Sequence, residues 1–184
     1  MPESDLRDLI NGCVRGKRKS QEELFKRYYS KMMIVSMRYT KNADEAADIL
    51  QDGFLKVFAK LEAYNYEGSF EGWIRRIIAN TAIDQLRKRK NDFILLQEDQ
   101  SLEDFAELIE EDLGEEEVEF KPDQVLAAMH ELSTAYRTIF NLYVFENLTH
   151  KEIADKLDIS VGTSKSNLAK AKRNLAKILR NGTH

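Results

Sequence analysis

Apolar residues in residues 1–92 recur at three- and four-residue intervals, and no stretch there alternates apolar with polar as a half-buried strand would. Leu24, Phe25, Tyr28, Met32 and Val35 share one helical face, with Ser20 as the expected N-cap and Glu22 and Glu23 in the first turn. Asn42 and Glu45 have the spacing of a capping box. Ala46, Ile49, Leu50, Gly53, Phe54, Val57, Phe58 and Leu61 then line one side of a long helix whose other side carries Glu45, Asp48, Asp52 and Leu55. A third helix is expected over residues 70–90, burying Ile74, Ile77, Ile78 and Ile83 and ending in "RKRK".

The final third divides into helices near residues 123–132, 134–146, 149–157 and 160–180. Thr149 with Glu152 forms a capping box, Ser160 is a plausible N-cap, and only "DIS" separates the last two helices. A short helix, a tight turn and a second helix make a helix-turn-helix. The pattern therefore predicts an all-α chain of two small helical domains, residues 1–92 and 122–184.

Charge sharpens that division. Residues 1–92 hold 18 basic and 14 acidic residues (net +4), residues 93–121 hold 1 and 12 (net -11), and residues 122–184 hold 9 and 6 (net +3). The middle strip reads as an acidic linker, within which Ser101 and Asp104 could cap a short helix presenting Leu102, Phe105, Ile109 and Leu113. Its cluster Glu110, Glu111 and Asp112 lacks histidine partners and fixed ligand spacing, so a solvated connector is the simpler account.

After Asp158 the chain has no acidic residue, yet six Lys or Arg fall between Lys165 and Arg180. At 100° per residue, Leu168, Ala171, Leu175 and Leu179 fall on one side of the last helix, and Thr163, Ser166, Lys170, Arg173 and Lys177 on the other. Solvated lysines are the usual fate of such a run. Here the absence of acidic partners at four-residue spacing, the capped helix just upstream and the tight connection favour DNA binding. A second candidate is the loop "EAYNYEGSFEGW". Its Tyr64, Tyr66, Phe70 and Trp73 suit either core packing or a surface for unpaired bases, with Lys56, Lys60, Arg75 and Arg76 bracketing it.

Other chemistry finds little support. Cys13 is the single thiol, and His130, His150 and His184 show no zinc spacing. No nucleophile with a base and no glycine-rich phosphate loop is present, so no catalytic residue, metal or cofactor is expected. The acidic N-terminus does not read as a signal peptide, and the apolar run at "MMIVSM" is too short to cross a bilayer, so a cytoplasmic protein without membrane insertion is expected.

The stretch "LSTAYRTIFNLYVFENLTHKEIADKLDISVGTSKSNLAKAKRNLAKIL" resembles the promoter-reading carboxy-terminal domain (region 4) of bacterial sigma factors of the extracytoplasmic-function (ECF) group, a branch of the sigma-70 family. "ADEAADILQDGFLKVFAKLEAYNYEGSFEGWIRRIIANTAIDQLRKRK" is similar to the amino-terminal domain (region 2) of the same group. The resemblance implies a factor that binds RNA polymerase core, through the clamp helices of the largest subunit and the flap of the second-largest, and directs promoter-specific initiation. Asp48, Gln51, Asp52 and Leu55 match the clamp-docking surface. Tyr64, Trp73, Arg76 and Asn80, with Lys56 and Arg75 as phosphate partners, match the group that holds the non-template strand of the minus-ten element. Thr163, Lys165, Ser166, Lys170, Lys172 and Arg173 fall on the helix that faces the minus-thirty-five element. An anti-sigma factor is a further partner that the resemblance implies.

At "GTSKSNLAKAK" the sequence departs from the commonest pattern, with Ser164 where valine is frequent and lysines where arginines are frequent. Lysine lacks the two-pronged guanidinium that matches guanine, which favours an A/T-rich element read partly through shape. Two rivals remain at this point. A dimeric helix-turn-helix repressor would have no use for "DILQDGF" and the aromatic loop. A sigma mimic that sequesters an anti-sigma protein would carry a receiver domain, and no alternating strand and helix pattern is present.

Overall fold

A computed structural model of the 184-residue chain describes residues 3–88 and 121–181. The acidic strip up to residue 120, with its expected helix after Ser101, lies outside the described residues. Every regular element among the described residues is helical, and the chain divides into two compact units, Met1–Gln85 and Leu86–His184.

The first unit contains α1 (Glu3–Val14), α2 (Arg18–Met37), α3 (Ala43–Lys60), a 3-10 turn (Leu61–Ala63) and α4 (Phe70–Lys88) as far as Gln85. Its core is built from the predicted stripes: Leu24 and Met32 of α2, Ala46 and Val57 of α3, and Ile74, Ile78 and Ala82 of α4 are all sealed from solvent. Burying each large aliphatic side chain stabilises the unit by about 1.5 to 3 kcal/mol. Ile77, expected inside, is only half-buried. Asn42 caps α3 as its spacing suggests, its Oδ1 accepting the Glu45 amide at 2.8 Å.

Helix α2 corrects the sequence reading. It starts at Arg18, and its N-cap Lys17 makes no side-chain cap. The cause lies one turn earlier. Gly16, at φ 70°, closes α1 in a Schellman motif, its amide donating to Cys13 O at 2.9 Å while Lys17 N donates to Gly12 O at 3.0 Å. That reversal sets the next helix going before Ser20 is reached. Ser20 packs against α1 instead: a Cβ at Gly12 would stand 2.3 Å from its Oγ, so only glycine permits this crossing.

The second unit contains α5 (Pro122–Glu131), α6 (Thr134–Val144), α7 (His150–Leu157) and α8 (Val161–Asn181), with α8 packed on the other three. Met129, Ile139, Leu142, Ile153, Leu157 and Ala171 form its core. The predicted capping box closes fully on α7: Thr149 N donates to Glu152 Oε2 at 2.8 Å, and Glu152 N donates to Thr149 Oγ1 at 3.3 Å. Asp158 ends α7 in left-handed backbone (φ 55°), and Ser160 Oγ accepts the Thr163 amide at 2.9 Å. The three-residue "DIS" turn is thus fixed from both sides, which holds α7 and α8 as a helix-turn-helix.

Candidate nucleic-acid and polymerase interface

Between the 3-10 turn and α4 the aromatic loop is anchored by Tyr64. This residue is buried, its hydroxyl donates to Gly68 O at 3.0 Å, and its ring meets Phe70 at 4.9 Å and Trp73 at 5.3 Å. Tyr64, matched to the minus-ten group, is thus placed inside the loop, its ring and hydroxyl both engaged in holding it. Trp73 is half-buried and stacked on Phe70 with 16° between planes, so part of its indole reaches the surface at the start of α4. Arg76 is exposed one turn further on, while Arg75 and Asn80 are half-buried, with Arg75 engaged inside the chain.

Tyr66 is the exposed aromatic of this loop. Its backbone is left-handed (φ 62°), a conformation that costs a bulky residue about 1 to 3 kcal/mol. Its ring leans on Tyr64 at 5.0 Å, and the Arg7 guanidinium of α1 lies over it at 4.6 Å. The sequence marks Tyr66 only as one of four loop aromatics and gives no sign of Arg7. The available signal was a tyrosine between Asn65 and the Glu67-Gly68 turn, where small or polar residues are the rule.

On α3 the residues matched to clamp docking lie on one outward face: Asp48, Gln51 and Asp52 are exposed, and Leu55 is 63% exposed. Two polar links tie this face to α4, Gln85 Nε2 donating to Asp52 at 2.9 Å and Lys56 Nζ meeting Asp84 at 3.1 Å. Both partners of the Lys56 pair are exposed, so the pair is weak and a phosphate can take its place.

On α8 the observed burial departs from the helical wheel. Lys165, Lys172 and Arg173 are exposed, but Thr163, Ser166 and Lys170 are 7%, 9% and 5% exposed. The hydroxyls account for two of these. Thr163 shares a hydrogen bond with Ser160 Oγ at 2.8 Å, and Ser166 Oγ donates back to Thr163 O at 3.2 Å, so neither needs water. Lys170 is engaged within the chain. A wheel sorts residues by angle and polarity, and a polar group with an internal partner has no reason to face outward.

Beside the exposed cations lies a stack. The Lys172 ammonium sits 5.6 Å from the Tyr143 ring, which packs on His150 at 4.9 Å and 26°, and His150 Nδ1 pairs with Ser164 Oγ at 3.0 Å. Burial, Lys165 and Lys172 together hold the imidazole below its ordinary pKa of 6.5. Cys13 is equally unreactive: burial and Glu23 push its thiol up to about 11.

Comparison with known proteins places this arrangement. The sigma-70 region 2 family profile matches residues 24–91, and the sigma-70 region 4 profile matches residues 123–175. The RNA polymerase sigma factor SigV of Bacillus subtilis is 31% identical over 137 residues, covering 74% of this chain and 77% of that protein. The chain belongs to the sigma-70 family, in its ECF group. The ECF RNA polymerase sigma factor SigW of the same species is 25% identical over 181 residues, 95% of this chain and 97% of its own length. In fold, this sigma-70 family chain is similar to the sigma factor RpoE of Bartonella quintana, solved with the anti-sigma factor NepR: TM-score 0.50, 18% identity, covering 86% of this chain and 96% of that one. No helix among the described residues is long and apolar enough to cross a membrane.

Proposed function

We propose that this chain is an ECF-type sigma factor that binds RNA polymerase core and directs promoter-specific initiation, residues 1–92 holding the melted minus-ten strand and residues 122–184 reading the minus-thirty-five duplex. The observation that carries the reading is the joint presence, in family order, of a region 2 unit with an aromatic loop and a region 4 helix-turn-helix with exposed lysines. A lone helix-turn-helix repressor would need only the second.

Lys165, Lys172 and Arg173 supply phosphate contacts to the duplex, and their attraction weakens as salt rises. Thr163, Ser166 and Lys170 reach DNA only if what now covers them moves aside. At the other end, Trp73, Arg76 and Asn80 take the displaced strand, Lys56 and Arg75 serve as its phosphate partners, and Tyr64 acts by holding their loop. Unstacking a base step costs a few kcal/mol, and stacking a freed base on an aromatic returns about 1 to 3 kcal/mol. Asp48, Gln51, Asp52 and Leu55 dock on the polymerase clamp helices, and the flap of the second-largest subunit receives the second unit. Once both units sit on core, weak contacts at each end of one promoter reinforce each other through effective concentration. The polymerase performs the chemistry, and this chain selects the start. An anti-sigma factor competes for the same surfaces.

Run-off transcription with bacterial core polymerase, on DNA from upstream of the chain's own gene, tests the proposal. A discrete transcript that requires the chain is expected. Equal specificity without it would end the reading.

A further inference from the structure

Resting on that reading, we infer that the second unit takes up one proton, at His150, when it closes on its duplex, so that this helix-turn-helix grips the minus-thirty-five element more tightly in mildly acidic than in mildly alkaline solution.

The imidazole stands where three helices meet. It opens α7 directly after the Thr149 cap, lies on the Tyr143 ring of α6 at 4.9 Å, and meets Ser164 Oγ of α8 through Nδ1 at 3.0 Å. Ser164 is sealed from solvent. Its hydroxyl can donate to a bare Nδ1 or accept from a protonated one, so the ring can gain a proton without changing partner. The ring is only half-buried, which leaves the proton a path.

Each helix packed on the ring presents a different group to it. On its own helix, Lys151 is exposed, and the Glu152 carboxylate is held by the Thr149 amide and hydroxyl. From α6 comes the Tyr143 ring, with the Lys172 ammonium 5.6 Å from its centroid. From α8 come Lys165 and Lys172, the charges that weigh against an imidazolium, and among the described residues no carboxylate offsets them. Together with burial they hold the free ring below 6.5, neutral at ordinary pH.

Duplex binding reverses that balance. Lys165 and Lys172 are exposed, and a phosphate bound by either cancels a charge that opposes the imidazolium while adding its own attraction. His150 therefore binds its proton more tightly in the complex than in the free unit. By reciprocity the proton tightens the complex: the gain begins as pH falls through the bound value and is complete below the free one.

The test measures binding of the holoenzyme, full-length chain on core polymerase, to the promoter fragment from upstream of the chain's own gene, at fixed ionic strength between about pH 8 and about pH 6. His150→Tyr and His150→Phe keep a ring against Tyr143 but cannot take up the proton, and dividing native affinity by theirs removes the polymerase's own response to pH. That ratio should rise about 3- to 10-fold on acidification, because one unit between free and bound values is worth tenfold. The rise should vanish on a fragment that ends short of the minus-thirty-five element. A second readout is independent of how those variants fold: followed by NMR in the free chain, the His150 titration should move toward 6.5 in Lys165→Ala. A ratio that stays flat for both variants, or an unmoved titration in Lys165→Ala, would overturn the coupling while leaving the sigma reading intact. A native holoenzyme that binds the fragment no better than core alone would sink both.

Discussion

The imidazole of His150 lies flat on the ring of Tyr143, 4.9 Å between centroids and 26° between planes, at the first turn of the first helix of the helix-turn-helix. Through this pair α6 touches α7, Ser164 Oγ ties α7 to α8, and the Lys172 ammonium over the Tyr143 ring ties α6 to α8. Burial lowers the pKa of His150, and Lys165 and Lys172 lower it further. The folded unit therefore favours the neutral ring.

Stability of the second unit should fall on acidification. Below the unfolded value of 6.5 the unfolded chain binds a proton at His150 that the folded chain resists, so the contribution is complete above 6.5 and is lost as pH drops toward the folded value. Glu152 adds to this lower down. Its carboxylate is held below its ordinary 4.5 by hydrogen bonds from the Thr149 amide and hydroxyl, and that stabilisation disappears as pH falls through its folded value. Thermal melts between neutrality and pH 5 should show a slope that His150→Phe removes; an unchanged slope would mean that His150 does not report the fold.

The close approach of α3 and α4 depends on one missing methyl. A Cβ on Gly53 would stand 2.3 Å from Cδ1 of the fully buried Ile78, so the end of that side chain must turn within the core to admit it. Gly53→Ala should destabilise by about 1 to 3 kcal/mol through overpacking, less up to about 1 kcal/mol returned by alanine's helix preference. Ile78→Val deletes Cδ1 and alone costs about 0.5 to 1.5 kcal/mol. In the double variant the clash is gone, so its loss by denaturant titration should be well under the sum of the two; simple additivity would show that the clash is relieved elsewhere.

Much of this fold was legible because its signals are local. Periodic apolar residues laid out the helices, and Asn42, Thr149 and Ser160 capped them through hydrogen bonds spanning three residues, a distance that sequence spacing fixes. Where tertiary packing decided, the pattern misled. Ser20 looked like a cap because nothing in its own turn revealed that Gly16 would reverse the chain and Gly12 would receive it. Tyr64 and Tyr66 are equivalent as letters, yet one is the loop's anchor and the other its exposed tip. Thr163, Ser166 and Lys170 fell on the polar side of a wheel that has no knowledge of internal partners.

Leu55 should matter for assembly and hardly at all for folding. With 63% of its surface exposed, beside Asp52 on α3, its truncation removes little from the core. Leu55→Ala should leave stability within about 0.5 kcal/mol. If the docking surface is as proposed, burial against the clamp is worth about 1 to 2 kcal/mol, so core polymerase should bind roughly 5- to 30-fold more weakly in a competition assay. Undiminished competition would move the polymerase-binding surface off this face.

The exposed and buried lysines of α8 should separate by kind of defect. Lys165 and Lys172 face solvent; removing Lys165 should leave the melting temperature unchanged, and removing Lys172, whose contact with the Tyr143 ring is worth about 0.5 to 1 kcal/mol, should lower it only slightly, while either loss weakens duplex binding and reduces the slope of log affinity against log salt by about 0.9 for each phosphate no longer neutralised. Lys170 is 5% exposed and engaged within the chain, so Lys170→Ala deletes a buried side chain together with its internal contact. It should lower stability by about 0.5 to 3 kcal/mol, the common range for a destabilising substitution. Lys170→Ala should therefore fail first in a thermal melt, and Lys172→Ala first in a salt titration. The reverse assignment, a stable Lys170→Ala chain with a shallower salt slope, would mean that Lys170 is uncovered in solution and meets the duplex directly.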